Sequence, residues 1–79
     1  MTAAHKIFIR TTKEDSSFLY QLLEAHEGWA AYSTLPFGPH DPYRDLMLIV
    51  PHDFESEVLS LLESLKERVM ILPEDPSKR

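Results

Sequence analysis

The sequence has 79 residues, 8 Lys+Arg against 13 Asp+Glu, a formal net charge of −5 and no cysteine. That is the length of one domain, with a thin core, because a chain this short buries only about 60–65% of the surface it exposes when unfolded. The missing cysteines exclude a disulfide framework, a thiolate zinc site, an iron–sulfur cluster and a Cys nucleophile. The acidic balance argues against nucleic acid as a partner, since phosphate recognition rests on Lys and Arg.

In chain order, His5, Lys6, Ile7, Phe8, Ile9, Arg10 and Thr11 form a β-branched and aromatic run, with Ile7 and Ile9 on one side and Phe8 on the other. This pattern predicts a first strand. Thr12 with Asp15 three residues on resembles an acidic capping box. Behind it, Phe18, Leu19, Leu22 and Leu23 recur at helical spacing, which predicts a helix of about three turns ended near Gly28. Residues 29–35 start directly after that glycine without helix caps, and Trp29, Tyr32 and Thr34 favour a second strand. Residues 36–43 hold three prolines and a glycine and are read as a loop.

Residues 44–50 resume as a third strand, apolar at both parities from Leu46 to Val50. Such a run suits a central strand covered on both sides. It is far short of the roughly 20 residues that a membrane span needs. Asp53 is the expected N-cap of a second helix, whose apolar stripe is Phe54, Val58, Leu61, Leu62 and Leu65. Glu55 and Glu57 at its start, and Lys66 and Arg68 at its end, suit the helix dipole. Val69, Met70, Ile71 and Leu72 predict a fourth strand before Pro73. We expect one domain over residues 1–79, with an ordered core at about 5–72 and a polar tail at 73–79. No signal peptide is expected behind the N-terminal residues, and a cytoplasmic protein is the expectation.

The order β-α-β-β-α-β is that of an α+β, ferredoxin-like sandwich: a four-stranded antiparallel sheet with two helices on one face. Right-handed crossovers then place the first and third strands in the centre. Two helices cover one face only. The other parity, Phe8, Met47 and Ile49, is left pointing away, with Trp29 or Tyr32 and Met70 or Leu72 as extensions. A contiguous apolar patch on that face implies a homodimer, unless the loop at 36–43 folds back over it.

Catalytic and metal motifs are missing. His5, His26, His40 and His52 fall in separate segments with no His-Glu-x-x-His arrangement, so we expect surface histidines, no metal site and no cofactor. A metal site would have to assemble His40, Asp41 and His52 from separate segments. Ser16, Ser17, Ser56, Ser60 and Ser64 suit helix capping and a polar helix face better than nucleophilic catalysis. With Gly28 and Gly38 the only glycines, no glycine-rich phosphate loop is possible. No catalytic residues are assigned. The most distinctive segment is the loop at 36–43, where His40, Asp41 and Tyr43 are candidate ligand-binding residues for a small molecule.

The run from Lys6 to Leu72 resembles a family of small uncharacterised bacterial proteins, a domain of unknown function. The resemblance is carried by Ile7-Phe8-Ile9-Arg10, by Leu22-Leu23-Glu24-Ala25-His26-Glu27-Gly28-Trp29-Ala30 and by Ser33-Thr34-Leu35. It continues through Val50-Pro51-His52-Asp53-Phe54-Glu55-Ser56-Glu57-Val58-Leu59. It implies a ferredoxin-like fold and no assigned activity. More distantly the layout is similar to ACT-type regulatory domains, which pair through sheets or helices and bind small metabolites near the first strand–helix loop. Here that loop, residues 11–15, lacks the glycine such sites commonly use. The sequence therefore leads to a non-enzymatic, self-associating ACT-like module for small-molecule sensing or protein interaction. The alternative is a small dimeric α+β-barrel enzyme with a pocket on the sheet face near the loop at 36–43.

Overall fold

The computed structural model describes residues 4–26 and 28–76. It contains β1 (Ala4–Thr12), α1 (Lys13–Ala25), β2 (Ala31–Thr34), β3 (Tyr43–Pro51), a 3₁₀ turn (His52–Phe54), α2 (Glu55–Ser64) and β4 (Val69–Leu72). The strands form one antiparallel sheet in the order β2-β3-β1-β4, so β1 and β3 are central, as the crossover rule requires. This is the ferredoxin-like α+β arrangement.

Register explains which side chains are core. Opposite pairs Ile9–Leu46, Ile7–Leu48 and Thr11–Arg44 alternate with Phe8–Met47, Lys6–Ile49 and Arg10–Asp45. The first parity meets the helices. Ile9, Leu46, Leu48, Val50 and Val69 from the strands pack with Leu19 and Leu23 of α1 and Val58 and Leu62 of α2 in one buried cluster. Both helices therefore lie on the same face. Among the described residues no helix is long and apolar enough to cross a membrane.

The helix ends differ in how well the sequence marks them. Thr12 caps α1 as expected, its hydroxyl accepting from the Asp15 amide at 3.1 Å. The helix closes at Ala25, and Gly28 takes the left-handed conformation (φ 88°) in the turn that follows. Asp53 is not the cap of α2. It sits inside the 3₁₀ turn, and the capping residue, Phe54, makes no side-chain cap bond. Lys66 and Arg68 lie beyond Ser64, in the turn leading to β4, rather than in the last helical turn.

Two further expectations change. Tyr32 faces the helices rather than extending the open face: its ring stacks on Tyr20 at 4.8 Å and its hydroxyl donates to Glu24 at 3.0 Å. Residues 73–76 are also more than a frayed tail. Leu72 pairs with Phe8, yet Pro76 shares a small cavity with Leu35, Pro36 and Asp45 on the far side of the sheet. Asp75 and Pro76 are half-buried, as are Phe8 and Met47 on the face away from the helices. Residues 77–79 of the expected tail lie outside those described.

Candidate functional site

The loop at 36–43 is held by its own short-range bonds. The Gly38 amide donates to Asp41 Oδ2 at 2.7 Å, and the Asp41 amide returns to the Gly38 carbonyl at 3.2 Å, closing a turn through Pro39 and His40. Pro fits the second position of such a turn, and Asp mimics a backbone acceptor. The loop is then pinned to the sheet. The Arg44 guanidinium, buried on the helix side, lies 3.7 Å from the Phe37 ring centroid. Its Nη1 donates to the carbonyls of Asp41 and Tyr43, both at 2.9 Å. The Lys13 amide bonds the Pro42 carbonyl at 3.0 Å, joining the loop to the start of α1.

On the opposite face, Arg10 Nε and Nη2 donate to the two oxygens of Asp45 at 2.7 and 3.0 Å. This forked pair matches the planar geometry of both groups. The hydrogen bond to Asp45, reinforced by its charge, raises the Arg10 pKa above its ordinary value. The Tyr43 ring sits 6.0 Å from the same guanidinium. Arg10, Asp45, Tyr43 and Asp41 help to line a cavity of about 250 Å³ at the loop end of the sheet.

Of the residues singled out in the sequence, Asp41 and Tyr43 line this cavity, whereas His40 is exposed and is not among its lining residues. The Asp41 carboxylate holds the turn instead of facing an open site. Arg10 and Asp45 were not legible as a pair, because a strand sequence shows only that their side chains share a parity, not that they stand opposite. Tyr32 carries the other perturbed titration: its hydrogen bond to Glu24, aided by desolvation, raises its pKa above the ordinary 10.0. Ionising that phenol would set two negative charges together, so the bond is intact at neutral pH and is lost only as pH rises through the raised value, above the ordinary one.

The open face carries the expected apolar row. Phe8 and Met47 are half-buried and Ile49 is exposed. The loop at 36–43 stays at the Thr12 end of the sheet, against Arg10 and Asp45. Pro76 of the segment at 73–76 shares a small cavity with Leu35, Pro36 and Asp45 near the same end.

At the other end of the sheet the fold gathers side chains that the sequence leaves apart. His5, from the start of β1, and His52, from the turn after β3, both approach Glu55 in the first turn of α2. His26 is elsewhere, stacked on Trp29 at 4.1 Å, and the Trp29 ring lies 6.4 Å from that of Phe54.

No family model, curated protein or solved structure matches this chain. Function is therefore read from the geometry of the loop end, the open face and the His5 end of the sheet.

Proposed function

We propose that this chain is a non-enzymatic, self-associating ACT-like module that acts through protein interaction, two copies meeting across the open faces of their sheets. The observation that carries this reading is the apolar surface exposed on the sheet face away from the helices. Ile49 on β3 is 37% exposed and Met70 on β4 is 60% exposed. Apolar side chains so placed on an uncovered sheet face are the usual mark of an association surface.

The loop end favours interaction over small-molecule sensing. The cavity lined by Asp41 and Asp45 is about 250 Å³, and the cleft beside it, over Arg10, Tyr43 and Arg68, is about 340 Å³. These fall below and at the bottom of the roughly 300–1,000 Å³ typical of small-molecule sites. Both carboxylates there are engaged, Asp45 by Arg10 and Asp41 by the Gly38 amide. The barrel-enzyme reading is weakened on the same ground, since His40 stands outside the cavity that it was expected to serve.

Sedimentation equilibrium on the full chain tests the proposal. The mass is expected to approach twice 9.2 kDa as concentration rises through the micromolar range. Ile49→Asp and Met70→Asp should each return it toward the monomer without altering the far-ultraviolet circular dichroism. A 9.2 kDa species at every concentration overturns self-association.

A further inference from the structure

The geometry points to a divalent transition-metal site formed by His5, His52 and Glu55, of the zinc-binding class with two imidazoles and one carboxylate. It lies at the end of the sheet opposite the loop at 36–43 and is independent of self-association.

The fold builds this site from two remote segments. Antiparallel register sets His5 opposite Val50 and Ala4 opposite Pro51. His5 shares the parity of Ile7 and Ile9, so its side chain stands on the face that the helices cover. The chain leaves β3 at Pro51 and turns through His52–Phe54 straight into α2, which returns Glu55 over the strand end. His52 and Glu55, three residues apart in a helical stretch, project to the same side.

The distances are those of ligands around one ion. His5 Nε2 lies 3.2 Å from Glu55 Oε2, and His52 Nδ1 lies 3.6 Å from the same oxygen. All three donor atoms fall within 4.8 Å of one another. With metal–ligand bonds of about 2.0–2.2 Å, tetrahedral neighbours stand roughly 3.3–3.6 Å apart. Two edges of the triangle are therefore near the required length. The third closes by rotation of exposed side chains, His5 being 46% and His52 67% exposed. The imidazole rings are tilted at 35° with centroids 5.7 Å apart.

The donor set selects the ion. Two nitrogens disfavour magnesium and calcium, which take oxygen ligands, and suit zinc, copper, nickel or iron. The positive end of the α2 dipole would oppose a cation, but Asp53, Glu55 and Glu57 crowd the same turns and offset it. Three protein ligands leave a fourth position to water or an outside ligand. Because the ligands come from β1, from the turn after β3 and from the start of α2, a bound ion ties together separate elements of a small core.

Calorimetric titration of the full chain with zinc chloride in a non-chelating buffer is the test. One zinc per chain is expected. His5→Ala, His52→Ala and Glu55→Gln should each weaken binding at least tenfold, because even outer partners of metal ligands cost about 10–100-fold. His26→Ala and His40→Ala should leave it unchanged. Proton–nitrogen correlation spectra of the unaltered chain give a readout that needs no variant: zinc should shift Nε2 of His5 and Nδ1 of His52. Absence of binding, affinity in His5→Ala and His52→Ala equal to that of the unaltered chain, or shifts at His26 or His40 instead overturns the site.

Discussion

A guanidinium on the helix-covered face of a sheet must find acceptors, and Arg44 finds them in the backbone of the loop that precedes it. It is 8% exposed, and the ring it covers, Phe37, is itself half exposed. Removing the side chain strands two carbonyls and frees the ring, so Arg44→Ala should cost about 2–3 kcal/mol in chemical denaturation. Lysine keeps the charge but not the planar fork, so Arg44→Lys should lose about half as much. Equal stability of all three proteins would mean that the loop is not held from this point. Arg10, by contrast, is bound to Asp45 where water still reaches it, with side-chain exposures of 41% and 20%. Solvent screening keeps such a pair at no more than about 1 kcal/mol even with ideal geometry. Two arginines on strands of one sheet thus do different work, according to the face on which the pleat places them.

At the scale of elements, the two helix starts invite a direct comparison. Thr12 precedes α1 and its hydroxyl accepts the Asp15 amide, whereas Asp53 precedes α2 without a cap bond, two residues short of Glu55. Thr12→Ala should therefore cost about 1 kcal/mol, and Asp53→Ala less than about 0.5 kcal/mol. A larger loss at Asp53, measured by thermal melting, would restore it as a cap. The contrast also shows where sequence reasoning stops. Thr12 and Asp15 have the spacing of a box, and Leu19, Leu23, Val58 and Leu62 have the helical period, so both helices and their buried faces were legible. Asp53 was misread because a capping residue and a member of a 3₁₀ turn look alike until the hydrogen bonds are known. The cluster of His5, His52 and Glu55 was invisible for another reason: strand register and the angle at which α2 returns bring it together, and neither is written in local spacing.

For the whole molecule, strand order followed from two facts available in the sequence, the apolar run at 46–50 and the handedness of crossovers. The path of residues 73–76 did not, because Pro73, Glu74, Asp75 and Pro76 have no period and read as a tail. Yet they bear on the open face directly. Phe8 and Met47 are half-buried on a side that no helix covers, and Pro76 reaches Leu35, Pro36 and Asp45. The buried core itself needs nothing beyond Val69. A chain ended after Leu72 should therefore still fold, with the same helical circular dichroism and a loss of about 1–2 kcal/mol from uncovered apolar surface. It should bind an apolar fluorescent dye more strongly than the full chain and self-associate at lower concentration, because the strip between Ile49 and Met70 is now continuous. If 73–76 merely skirts the sheet, dye binding and association will match those of the full chain. If it supplies part of the contact between copies, dye binding will rise while association weakens.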